Sequence, residues 1–91
     1  MTYDFTLFVA GKETIKNQEI VDCIKAGLNE RLKASFDLLV VDVVDSPELA
    51  FREQIFVTPS WVRNLPAPKK KIVGNFCIDK NISRALDIFL K

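Results

Sequence analysis

The apolar positions of this chain change period several times, and each change predicts an element. Tyr3, Phe5, Leu7 and Val9 alternate with Asp4 and Thr6, which is the two-residue period of a strand. Phe8 and Ala10 make the other face apolar toward the strand's end, so cover is expected on that side as well. Gly11 closes the strand. Val21, Ile24, Leu28 and Leu32 then recur at steps of three and four, the stripe of a helix from about Asn17 to Ala34. Thr14 and Asn17 are its candidate caps. Cys23 falls well away from the centre of that stripe.

The run Leu38-Leu39-Val40-Val41-Asp42-Val43-Val44 is apolar on both faces, as in a parallel strand buried between helices. Two parallel strands joined by a helix make a right-handed crossover. Ser46-Pro47 starts a short helix reaching to about Ile55, with the hydroxyl expected to cap free amides and Pro suited to the first turn. Trp61 to Leu65 and Lys70 to Val73 read as two further strands turned by Pro66-Ala67-Pro68, and Gly74-Asn75 ends the second. Asp79 or Asn81 caps a last helix with the stripe Ile82, Ala85, Leu86 and Phe89. The order βαβαββα over residues 1–91 predicts one α/β domain of the thioredoxin-like class. In that fold the proline of the segment Val57-Thr58-Pro59-Ser60 is expected to be cis, beside the place of a redox Cys-x-x-Cys. The matching turn here, Ala10-Gly11-Lys12-Glu13, holds no cysteine. A redox frame without its chemistry predicts a binding module.

Composition narrows the partner. Thirteen basic and twelve acidic residues leave a net charge of +1, which supplies no global drive toward nucleic acid or an anionic membrane. Leu38–Val44 is broken by Asp42 and too short to span a bilayer. Met1-Thr2-Tyr3-Asp4 has neither the basic nor the apolar region of a signal peptide, so a cytoplasmic location is expected. The two cysteines suffice for one disulfide, but a cytosolic chain is expected to keep them reduced. Cys23 lies near the middle of its helix and Cys77 in the loop before the last one. Neither holds the nucleophile position, and the expectation is two inert thiols. With no histidine and only three glycines, no metal, cofactor or phosphate loop is expected. Asp42 and Asp45 could mimic an acid pair; the reading adopted is that Asp45 shapes the strand-to-helix turn, and no catalytic residue is assigned.

Lys69-Lys70-Lys71 is the only dense basic run. It suits docking to an acidic partner surface, or protection of an edge strand against sheet-to-sheet association. Arg63 stands at strand spacing from Trp61, and alternation places Trp61 with Leu65 in the core.

Several segments together resemble the KaiB family of circadian-clock proteins. They are Leu7-Phe8-Val9-Ala10-Gly11, Val41-Asp42-Val43, Pro47-Glu48-Leu49-Ala50, Ile55 to Pro59, Leu65-Pro66-Ala67-Pro68 and Lys70-Lys71-Ile72-Val73-Gly74. The chain departs from the family pattern at Lys12-Glu13-Thr14-Ile15 and at Asn75-Phe76-Cys77, and it lacks an acidic C-terminal tail. The resemblance implies a non-enzymatic regulator that binds the N-terminal ATPase ring of a KaiC-type protein, with KaiA or a SasA-type histidine kinase as further partners. It carries the partner-binding basic pair onto Lys70 and Lys71, with Lys69 extending it. The related sensor module of SasA-type kinases, and less so a thiol redox protein, are the alternatives. It also implies metamorphism: a second fold, dimeric or tetrameric, that rebuilds the half after the first βαβ unit. Pro59 and Ala85 are the positions expected to bear on that balance. Clock members commonly carry glycine where Ala85 stands, and alanine favours a helix there. The thioredoxin-like state, with Ile82 to Leu90 helical, is expected to prevail.

Overall fold

The computed structural model describes residues 2–33, 35–74, 77 and 81–90, the Asn81 side chain excepted. Its elements are β1 (Tyr3–Val9), α1 (Ile15–Leu32), β2 (Phe36–Asp42), α2 (Pro47–Arg52), β3 (Ser60–Leu65), β4 (Lys70–Val73) and α3 (Asn81–Leu90). The four strands form one sheet in the order β2-β1-β3-β4. β1 runs parallel to β2 and antiparallel to β3, and β3 antiparallel to β4. This is the thioredoxin-like arrangement that the order of elements predicts.

The alternation of β1 divides the interior. Phe5, Leu7 and Val9 point to one face, where they meet Ile20, Ile24 and Leu28 of α1, Trp61 of β3, and Ala85, Leu86 and Phe89 of α3. Phe8 points to the other face and joins Val41 and Val62, with Val43, Leu49 and Ile55 packed against them. Helices α1 and α3 therefore cover one side and α2 the other. The aromatic centre of the larger cluster is Trp61, edge-on to Phe89 with ring centroids 4.7 Å apart, and Phe5 lies 5.7 Å from each. Such pairs add to the burial that holds α3 down.

Several boundaries shift from expectation for local reasons. Helix α1 begins at Ile15 because Thr14 is its cap, accepting from the Asn17 amide at 3.3 Å. The Asn17 side chain instead donates to the carbonyls of Ala10 and Gly11 at 2.9 and 2.8 Å. The second strand ends at Asp42 rather than Val44, and its outer face is only partly covered. α2 is six residues long and shields Val41, while Leu39 stays 59% exposed. Ser46 sits at the α2 cap position, but its hydroxyl makes no capping bond. The expected caps Asp79 and Asn81 lie outside the described side chains, as does Asn75.

The third strand reverses one assignment. Trp61 is fully buried as expected, but Leu65 is 53% exposed and Arg63 only 3%. The carboxyl end of α3 lies over Arg63, which donates from Nη1 to the Phe89 carbonyl at 2.6 Å and from Nη2 to the Pro68 carbonyl at 2.7 Å. Leu65, at the strand's end, is left to solvent.

Candidate protein-interaction site

At the carboxyl ends of β1 and β2, three turns are gathered by one carboxylate. Asp42 Oδ1 accepts from the amides of Gly11 and Val44, both at 3.0 Å, and Oδ2 from the amide of Lys12 at 2.9 Å. Gly11 stands at φ +86°, a conformation that glycine enters without the Cβ penalty. Its carbonyl in turn receives the Thr14 amide and hydroxyl, both at 3.1 Å. The residue that ties these turns together is thus Asp42, with Asp45 contributing its backbone amide to the Asp42 carbonyl at 3.1 Å. Asp45 takes part in the strand-to-helix turn through its backbone, while Asp42, still in the strand, is the residue whose side chain reaches the adjacent β1–α1 turn.

The amides of Gly11, Lys12 and Val44 hold the Asp42 carboxyl below the usual carboxylate range, and the charge of Lys12 adds to them. A carboxyl that is easier to ionise in the folded chain stabilises the fold above its unfolded pKa, about 4. That contribution is lost as the pH falls through the lower, folded value. Asp42→Asn replaces one acceptor oxygen by an NH2 group facing an N–H donor. It is expected to lower the melting temperature at pH 7 and to flatten its decline below about pH 4, read by thermal denaturation across pH.

Beside this turn lies the Thr58-Pro59 peptide, which is cis. A hollow of about 390 Å³ between them is lined by Ala10, Thr14, Lys16, Asn17, Ile20, Thr58 and Pro59. Neither a thiol nor a carboxylate is among these lining residues, so the place expected for a Cys-x-x-Cys holds no cysteine. Among the described residues no cluster of three or more cysteines and acidic residues is placed to hold a metal ion.

The basic run divides between two faces. Lys71, opposite Val62 in the strand register, donates to the Gln54 carbonyl at 3.1 Å, and Lys69 pairs with Glu53 at 2.9 Å. These two line a hollow of about 230 Å³ together with Glu53, Gln54, Val62 and Lys70. Lys70, opposite Arg63, donates to the Ile88 carbonyl of α3 at 3.3 Å. The structure therefore brings Lys69 and Lys71 together on the α2 side and gives Lys70 a second task at the end of α3. Phe51 and Phe56 flank Glu53 and Gln54 in the chain and are 80% and 81% exposed. Sequence reading passed over them because neither extends a core stripe. Their isolation at the ragged end of a six-residue helix was the available signal.

The cysteines are not the pair of reduced thiols expected. Cys23 and Cys77 are joined in a disulfide across 54 residues of chain, with Cα atoms 6.3 Å apart. The approach to α3 carries Cys77 over α1, and Cys23 lies on the flank of α1 that faces it, off the buried stripe.

A thioredoxin-like domain with no thiol beside its cis-proline defines the class of this chain. The KaiB family profile, described as the KaiB domain, matches residues 6–88. The chain is 32% identical to the circadian clock oscillator protein KaiB of Microcystis aeruginosa, over 96% of this chain and 83% of that one. It is 31% identical to its counterpart in Prochlorococcus marinus, over 96% and 80%. It belongs to the KaiB family. Its fold is also similar to the N-terminal domain of Synechococcus elongatus SasA, with a TM-score of 0.79 and 25% identity over 99% of this chain and 84% of that one. The likeness extends, for the fold alone, to thioredoxin 1 of Thermosipho africanus, with a TM-score of 0.62 and 20% identity over 97% and 99%.

Proposed function

We propose that this protein is a non-enzymatic regulator that docks on the N-terminal ATPase ring of a KaiC-type protein and modulates its clock or stress signalling. The observation that carries this reading is the head of α1 in a KaiB-family chain. Beside Pro59, Asp42 and Gly11 build a fixed turn that carries no thiol, which suits a domain that presents a surface to a partner. Lys69, Lys70 and Lys71 are its partner-binding residues, with the neighbouring Phe51 and Phe56 as apolar contacts. A cluster of basic side chains favours fast, salt-sensitive association with an acidic partner. The protein acts in the cytoplasm and binds neither nucleic acid nor membrane. In support, no helix among the described residues is long and apolar enough to cross a membrane. KaiA and a SasA-type kinase are further partners in organisms that hold them.

Reversing all three lysines to glutamate is expected to weaken ring binding about tenfold, at roughly 0.5 kcal/mol for each exposed charge, and to flatten its dependence on salt. Titration calorimetry at two ionic strengths reads both, and the Lys69→Glu/Lys71→Glu double variant isolates the α2 side. Unchanged affinity and slope would reassign the run to edge protection. A dithiol–insulin turnover assay is expected to show no activity, since Cys23 lies within α1 and not at its head.

The likeness to the SasA domain favours a second reading, a sensor module of a SasA-type kinase. A KaiB-type protein captures KaiA once seated on the ring, whereas a sensor module competes for the same seat. A KaiA capture assay on the preformed complex separates them.

Membership of a metamorphic family makes the second half a candidate for refolding into a dimeric or tetrameric form. Pro59, at the entry to β3, and Ala85, 4% exposed between α3 and the sheet, are the positions assigned to that balance. Ala85→Gly is expected to weaken α3 by about 1 kcal/mol through helix propensity alone. Paired amide resonances should then shift toward the second form; an unmoved ratio removes Ala85 from the switch.

A further inference from the structure

Three positions of α1 separated by four residues fasten it to the last part of the chain. Cys23 is bonded to Cys77. Gly27 lets α3 approach so closely that an added Cβ would stand 3.0 Å from Leu86 Cδ1 and 3.3 Å from Ile82 Cγ1. Arg31 pairs with Asp87 at 2.9 Å. Steps of four place these side chains on one helix face, so they form a single seam along which α3 docks. The far end of α3 is held separately, by Phe89 in the core and by Arg63 and Lys70 on its last carbonyls. The disulfide is the covalent fastening of the seam at the approach to α3.

We propose that Cys23–Cys77 is a thiol–disulfide modification site for a dithiol reductant, and that its redox state sets how firmly α3 docks on α1. Both cysteines are half-buried, so the bond lies at the edge of the packed seam within reach of a reagent. A thiolate of the dithiol attacks one Sγ, the Sγ–Sγ bond breaks, and the other cysteine leaves as a thiolate and takes up a proton. The second thiol of the reductant then displaces the mixed disulfide, leaving two cysteine thiols and the oxidised reductant. The chain has two cysteines only, so the reverse exchange, in which an oxidised dithiol takes the electron pair and both protons and leaves as the dithiol, restores the same bond within one chain. The core cluster that holds Phe5, Leu7, Trp61, Leu86 and Phe89 includes neither cysteine, so the reduced chain is expected to keep its fold while one end of the seam is released. This inference is independent of the KaiC reading.

The test is amide hydrogen exchange on the full chain, air-oxidised and after reduction with dithiothreitol under native conditions, with alkylation and intact mass recording the thiol count. The expected result is native-state reduction, followed by exchange in residues 81–90 at least tenfold faster, while β1 and β2 change less. Cys77→Ser should reproduce the reduced pattern without reductant; if it fails to fold, native reduction of the wild-type chain decides alone. Two free thiols in the air-oxidised protein would overturn the proposal. So would a bond that dithiothreitol opens only after unfolding, or exchange that quickens equally in all elements, which is the mark of a plain covalent staple.

Discussion

Phe89→Ala is expected to destabilise the domain by about 3–5 kcal/mol, the largest effect of any single truncation considered. The side chain is fully buried and its ring meets both Trp61 and Phe5. Removing it opens a cavity bounded by two rigid rings that cannot close over the gap. A domain of this length has a total stability of roughly 5–14 kcal/mol. The variant should therefore melt roughly 15–30 °C lower or lose α3 at ambient temperature. Phe89→Leu keeps most of the apolar volume and loses the ring contacts, so about 1–2 kcal/mol is expected. Equal losses for the two variants, measured by urea unfolding, would mean that the site collapses around either and that the aromatic centre is not what anchors α3.

Arg63→Ala is expected to cost about 2–4 kcal/mol, because two acceptor carbonyls, of Phe89 and Pro68, lose their donors together. Arg63 is almost wholly buried; its guanidinium is satisfied at both Nη atoms by backbone oxygens, and among the described residues it has no acidic partner and Nε makes no hydrogen bond. Its fork reaches the end of α3 and the turn before β4 at once. Arg63→Lys offers one compact ammonium for two separate acceptors and should recover less than half of the loss. Full recovery by lysine would show that charge near the carboxyl end of α3 matters and the fork does not. Chemical denaturation of the three proteins under identical conditions settles the order.

The contrast between these two residues shows which parts of the fold were legible in the chain. Phe89 was placed in the core by the period of Ile82, Ala85, Leu86 and Phe89, a signal carried within ten residues of sequence. Arg63 was not, since its burial depends on where the end of α3 falls across the sheet, 26 residues away in the chain. The same division holds at the site. The cis Thr58-Pro59 bond and the missing thiols at the head of α1 followed from local residues and fold class. Asp42, whose carboxylate ties together turns 30 residues apart, looked no different from Asp45, because only the pairing of β1 with β2 aims it at Gly11 and Lys12. The cysteine pair was hidden for a similar reason. A position off the stripe of α1 reads as exposed until a second helix is laid along its flank. The basic run was visible as charge, but strand alternation divided it, sending Lys70 toward α3 and Lys71 toward α2.

Arg63 and Lys70 belong to β3 and β4, yet the carbonyls they hold are the last ones of α3. A helix whose end is closed by its own flanking loop can form as soon as its residues turn. This one is closed by two neighbouring strands that must first be paired with each other. Opening the β3–β4 hairpin therefore uncaps α3, and lifting α3 strands a buried guanidinium in the sheet, so neither event is cheap without the other. Residues 60–90 should accordingly come apart as one cooperative block. The boundary of that block falls in the segment between α2 and β3, leaving the β1–α1–β2 unit as a separate step.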